Sequence, residues 1–301
     1  MKTIIARRFL LIHFLILIGL VGTGCNNKQE NINSKKLTVG VVSYGERAVS
    51  IEKYERFKDY IARQTQSIVE LEPAYNELQA LEQIQRKNWE IVFAPPGLAA
   101  IAISKELYVP LFSMEGTLGR QRSLLIVRDD KPIKTITDLA NKTVALEAAG
   151  SAAGYYVPLY DLYGLTLAQI RPAPTPKTVL QWLSEGSVDA GALSQTDFEL
   201  IAREFSTTKF RILHTSRSIP PAVVLLAPTV ERNQQQQIQK AMNQAPGDIT
   251  ADAGYVPGAK VPSYEQFIKI VDKVKPLEAQ VNKTPAVLLN QKSTSQEKVS
   301  R

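Results

Sequence analysis

Apolar residues along this chain fall into two alternating rhythms, short β-branched runs and longer stretches with helical spacing. LTVGVVS, starting at Leu37, suits a buried strand, and behind it Ile51, Tyr54, Phe57 and Ile61 recur on one helix face. The pair then repeats. SIVELEP predicts a strand, followed by Leu78, Leu81 and Ile84 on a helix face. EIVFA predicts another, followed by a break at Pro95, Pro96 and Gly97 and by the helical LAAIAISK. Such alternation implies a mostly parallel sheet with helices on both faces.

YVPLFSM and, after a break from Gly116 to Gly119, QRSLLIVR are the next strands, and a change of lobe falls between them. A second series follows: the strand KTVALE, a helix from about Ser151 to Tyr163, the strand AQIRP, a helix around Thr178 to Ser184, the strand VDAGALS and a helix through Phe198 to Ala202. RILHTS leads out of this lobe, Ile219, Pro220 and Pro221 mark the return, and AVVLLAP is a strand back in the first lobe. A Gln-rich helix from Thr229 to Ala245 and an amphipathic one carrying Tyr264, Phe267, Ile268 and Val271 complete the pattern. The expected organisation is lobe 1 at 37–117 plus 218–284, lobe 2 at 118–217, and a polar, frayed tail at 285–301.

The N-terminus has a character of its own. Lys2, Arg7 and Arg8 precede an apolar run from Phe9 to Leu20, and small residues lead to Cys25. This is the layout of a secretory signal over 1–24, and the run is shorter than the roughly 20 residues that span a bilayer as a helix. Cys25 resembles the lipidated cysteine of a bacterial lipobox, although Gly22 stands where leucine is usual; the alternative is an exported protein with a leftover cysteine. Asn26 to Lys36 contain almost nothing apolar and predict a flexible tether behind the lipidated Cys25, placing the protein on the extracytoplasmic face of a membrane.

Composition narrows the chemistry. The 301 residues are 44% hydrophobic and 22% charged, which is ordinary globular usage. Removing 1–24 takes away three positive charges and no negative ones, so the net charge falls from +7 to +4. The remaining cations are interleaved with acidic neighbours, as in Glu52 to Arg56, rather than gathered in a stripe for nucleic acid. One cysteine and two histidines, His13 and His214, exclude an internal disulfide and a Cys/His zinc site, so no metal or other cofactor is expected. Gly-rich nucleotide signatures are absent. His214 reads as a hydrogen-bonded strand histidine, and Glu115 and Glu147, though able to line a cleft, do not by themselves make a catalytic pair. An enzyme is not expected.

The most informative segment is ALEAAGSAAGYYVP, from Ala145 to Pro158, where a strand passes through Gly150, Ser151, Ala152, Ala153 and Gly154 into a helix. Such a turn exposes backbone N–H groups at the positive end of a helix dipole, an anion socket in principle. Ser151 either caps the helix or donates its hydroxyl to a bound oxyanion. Tyr44 after the first strand and Pro95 to Gly97 after the third stand at strand carboxyl ends, where ligands bind in open α/β sheets. Of Arg120 and Arg122, strand alternation lets only one face the cleft, and Arg120 is favoured. Asp189 reads as structural.

At SAAGYYVP the sequence resembles the PhnD-like periplasmic phosphate-, phosphite- and phosphonate-binding proteins of ABC transporters, whose Ser-x-Ser-Gly turn leads into a helix with an early proline. LTVGVVS, EIVFAPPG, IKTITDLANKTVALE, SEGSVDAGAL and ILHTSRSIPP match further family segments in order, so the resemblance covers about Leu37 to Lys275. It implies a two-lobed type 2 periplasmic binding fold with two crossover strands as hinge. It also implies a monomeric solute-binding lipoprotein that closes on a small anion and presents it to a membrane permease with its ATPase. The implied ligand contacts are Tyr44, Pro96 and Gly97 from the first lobe, Arg120 and Gln121 at the crossover, and Ser151, Ala152, Ala153, Gly154 and Gln195 from the second. The chain departs from the family at Ala153, where a second serine is usual; at Gln121 and Arg122 before Ser123, where a tyrosine is usual; and at Ser194 and Gln195, where an acidic residue is usual and Asp197 lies further along. A lost buried partner costs on the order of 1–3 kcal/mol. A sulfonate, carboxylate or thiamine-precursor-like ligand, a sensor lipoprotein and a small-metabolite enzyme on the same fold are therefore the alternatives.

Overall fold

A computed structural model describes residues 35–43, 50–115 and 121–289. The signal segment, Cys25, Tyr44 and Arg120 lie outside the described residues. The first strand, β1 (Lys36–Val42), begins one residue inside the stretch expected as tether, because Lys36 already pairs with Ile68. Leu37, Val39 and Val41 alternate into the core. Gly40 lies flush against the buried Trp89 ring, where a Cβ would come within 2.0 Å of the indole. Helix α1 (Glu55–Thr65) covers this strand with Phe57 and Ile61, and β2 (Ile68–Ala74) returns parallel to it.

Helix α2 (Glu77–Gln85), capped by Asn76, leads to β3 (Ile91–Ala94). Helix α3 (Pro96–Lys105) follows at once. Pro96 and Gly97 are thus the first turn of α3 rather than a break before it, since proline is tolerated at a position whose N–H needs no intrahelical partner. Pro96 to Ala102 are all buried, as expected for a helix apolar on every side. Strand β4 (Val109–Met114) follows before the chain passes to a second sheet.

That second sheet starts with β5 (Gln121–Arg128). Leu125 and Val127 face the large core, while Leu124 and Ile126 face a smaller one, the two-residue period sorting one strand onto two layers. β6 (Thr143–Leu146) leads through the Ser151 turn into a helical stretch whose first turn, Ala152–Tyr156, is π-helical and whose remainder is α4 (Val157–Asp161). This stretch ends two residues short of Tyr163, because Tyr163 and Gly164 turn the chain into the short β7 (Thr166–Leu167). β8 (Gln169–Pro172), α5 (Pro176–Glu185), β9 (Ala190–Ser194) and α6 (Gln195–Ile201) follow. β10 (Phe210–Ile219) then runs antiparallel to β5.

Pro220 and Pro221 separate β10 from β11 (Val223–Leu226), which inserts antiparallel between β3 and β4. After α7 (Arg232–Asn243) and α8 (Gly247–Ala253), β12 (Tyr255–Val256) closes the first sheet in the order β12-β4-β11-β3-β1-β2. The second sheet has the order β10-β5-β9-β6-β8. In both, the strands of the strand–helix units run together, and the return strands run against them, so each sheet is mixed.

The C-terminal region differs from the expected fray. After α9 (Glu265–Val274) and α10 (Glu278–Val281), β13 (Ala286–Val287) pairs antiparallel with β7. Leu288 is fully buried and exchanges backbone hydrogen bonds with Gly164 and Leu165. Apolar residues in a polar stretch suffice because Ala286 and Leu288 join the main core while their backbone pairs with β7.

Among the described residues, no helix is long and apolar enough to cross a membrane.

Candidate functional site

Two helices begin at the carboxyl ends of parallel strands and point at one another across the two sheets. Helix α3 starts at Pro96 behind β3, and the Ala152–Asp161 stretch starts behind β6. They meet at their first turns. A Cβ on Gly97 would come within 2.0 Å of the Gly150 carbonyl oxygen and 2.8 Å of the Ala152 nitrogen. Gly150 itself has φ of +111° and packs against the buried Glu77 at the head of α2. Backbone therefore lies on backbone where the two halves touch.

The Ser151 turn is held from within. The Gly154 N–H donates to Ser151 Oγ at 3.0 Å, so Ser151 caps the helical stretch, and the Ser151 hydroxyl donates to Glu147 Oε2 at 2.6 Å. The Glu147 N–H donates to the Gly154 carbonyl at 2.9 Å. Ser123 Oγ donates to the Ala153 carbonyl at 2.5 Å and ties the π-helical turn to β5. Gly154 is a glycine because the Glu147 side chain lies over it, with Cδ 2.2 Å from where a Cβ would stand.

The neighbouring aromatics insulate the turn. Tyr155 and Tyr156 meet edge to face with ring centroids 5.2 Å apart, and burial, aided by the charge of Glu278, pushes both phenols well above the usual tyrosine range. They stay protonated at physiological pH. Below the helix, His214 Nε2 lies 3.2 Å from Asp161 Oδ2, consistent with the hydrogen-bonded role read for that histidine. Burial raises the Asp161 carboxyl above its ordinary value, against the opposing pull of His214 and Arg217.

The predicted residues divide as follows. Pro96, Gly97, Ser151, Ala152, Ala153 and Gly154 come together at the junction of the two helix starts, all buried except the half-buried Ser151 and Pro95 beside it. Gln121 opens β5 opposite Ile219, half-buried at the crossover. Gln195 is turned into α6, where its amide donates to Glu199 at 2.8 Å. Arg122 donates to the Ser216 carbonyl and braces β5 against the bulged β10. Asp189 accepts from the Thr143 N–H and links β9 to β6. Asp197 closes the Ser194 cap of α6. Glu77 was missed because an acidic residue in a helix first turn is too common a signal to mark it. Among the described residues, no group of three or more His, Cys, Asp or Glu side chains could hold a metal.

Comparison with solved structures defines the class. The fold is that of type 2 periplasmic binding proteins. A Xanthomonas citri protein bound to ATP aligns with TM-score 0.65 at 20% identity, covering 80% of this chain and 98% of its own. A binding component of a Pseudomonas aeruginosa ABC phosphonate transporter aligns with TM-score 0.61 at 14% identity, covering 88% and 93%. PhnD1 from Prochlorococcus marinus in complex with methylphosphonate aligns with TM-score 0.62 at 14% identity, covering 80% and 99%. No curated protein matches the sequence. Residues 39–261 match the family described as ABC transporter, phosphonate, periplasmic substrate-binding protein, and the chain belongs to that family. It is a solute-binding component of an ABC transporter, not an enzyme.

Proposed function

We propose that this chain captures a small phosphorus oxyanion, of the phosphonate, phosphite or phosphate class, between its two lobes. The observation that carries this reading is the convergence of two helix starts, at Pro96 and Gly97 and at Ser151 to Gly154, behind β3 and β6. Two positive dipole ends brought together favour an anion between them. Tyr44 and Arg120, which lie outside the described residues, and Gln121 and Gln195 at the rim complete the proposed contact set. The methylphosphonate complex of the Prochlorococcus marinus protein supports the ligand class.

The two lobes take residues 37–117 with 218–284 and residues 118–217, joined by the β4–β5 and β10–β11 crossings. An anion touching both stabilises the closed form by its differential contacts, and the permease reads that form. Cys25, lipidated after removal of 1–24, tethers the monomer to the membrane. Detergent phase partitioning of the full chain tests the tether, with Cys25→Ala expected to leave the detergent phase.

The ligand test is a thermal-shift screen of residues 26–301 against methylphosphonate, aminoethylphosphonate, phosphite, phosphate, sulfate, sulfonates and small carboxylates. A ligand at 100 times its Kd adds about 2.7 kcal/mol. A rise confined to phosphorus oxyanions is expected; a rise only with sulfonates or carboxylates overturns the ligand class.

A further inference from the structure

The Ser151 turn holds a buried carboxyl group of its own. Glu147 leaves the end of β6, its backbone fixed by the hydrogen bond from its N–H to the Gly154 carbonyl, and its side chain folds back over the turn it introduces. The carboxylate is 8% exposed, receives the Ser151 hydroxyl at 2.6 Å and lies over Gly154, with Oε2 2.6 Å from where a Cβ would stand. Ser151 is the one hydroxyl in the Ser151 to Gly154 turn, and this hydrogen bond commits its proton. The start of the Ala152–Asp161 stretch thus already faces a carboxyl group. An ionised carboxylate and a phosphonate cannot share so small a volume without strong repulsion.

We propose that Glu147 is a built-in occupant of the anion site, a specificity-determining residue that an incoming oxyanion must displace from Ser151 before the lobes close on it. The inference rests on the reading of the Ser151 turn as the ligand site. It assigns a direction to the family departure at Ala153: with one hydroxyl instead of two, the hydroxyl that remains is engaged by Glu147 in the resting protein. The site accordingly selects ligands whose contacts with both lobes outweigh the Ser151–Glu147 bond, and disfavours small oxyanions that make few.

The test measures methylphosphonate and phosphate affinity by calorimetry for the wild-type chain, Glu147→Ala and Glu147→Gln. Glu147→Ala is expected to bind methylphosphonate about tenfold or more tightly, and Glu147→Gln, which keeps the shape and removes the charge, to gain less. Should Glu147→Ala fail to fold, by circular dichroism, the Gln variant alone decides, since it must still gain. Wild-type binding that is unchanged or weakened in the variants overturns the role of Glu147 and leaves the ligand site standing. Absence of binding to any phosphorus oxyanion by all three proteins overturns the ligand site, and this inference with it.

Discussion

Gly97 and Gly150 touch so closely that Gly97 cannot carry a side chain: a Cβ there would stand 2.0 Å from the Gly150 carbonyl oxygen, while Gly150 has a left-handed φ of +111° and packs against Glu77. The contact joins the first turn of one helix to the turn that precedes another, so it reports directly on how far the two halves approach.

Gly97→Ala follows from that distance. Alanine suits a helix first turn, so the first lobe should fold, but backbone against backbone cannot yield and the halves must part. Ligand affinity is expected to fall by about tenfold or more, with a larger radius of gyration by small-angle scattering in saturating ligand. Wild-type affinity and dimensions would show that the contact plays no part in closure.

Gly40→Ala tests packing away from the site. The added methyl would enter the Trp89 ring from 2.0 Å, and both residues are buried beside β3, so the core must shift. Urea denaturation should show a loss of about 3 kcal/mol or more.

Ser151→Ala separates the capping role from binding. Loss of the bond from the Gly154 N–H should cost about 1 kcal/mol of stability. Methylphosphonate affinity should fall as well, because the hydroxyl that Glu147 would release is no longer there to meet the ligand.

Leu288→Ala distinguishes a packed strand from a frayed tail. Leu288 is fully buried beside β7, so its truncation should destabilise the protein by about 2–5 kcal/mol. A change under about 0.5 kcal/mol, the usual range for surface positions, would return residues 285–289 to the tail.

Asp161 gives stability a pH signature. Burial raises its folded value above the ordinary 3.8, so between that value and the raised one the folded state holds more protons than the unfolded. Its contribution is fully present below the ordinary value and is lost as pH rises through the folded one. The stability of the wild type relative to Asp161→Asn should therefore decline as pH rises from the ordinary carboxylate value through the raised folded one. A difference that grows with pH would contradict this.

Strand and helix positions were legible because burial imposes period 2 on strands and a period near 3.6 on helices, as Leu37, Val39 and Val41 and then Phe57 and Ile61 display. The Ser151 turn was legible too, since a strand ending in Gly, Ser and small residues can do little else but open a helix. β13 was not, because Ala286 and Leu288 are apolar only in a polar neighbourhood and their partner strand lies more than a hundred residues earlier.

The sequence alone determined the α/β class, the double crossing and the Ser151 turn proposed as the site, all consequences of local pattern and chain order. Only the tertiary structure decided what faces that turn. That Gly97 lies against Gly150, and that the Glu147 carboxyl folds over Gly154 and accepts the Ser151 hydroxyl, depends on side chains and backbones packing in three dimensions, and no local periodicity encodes such a meeting.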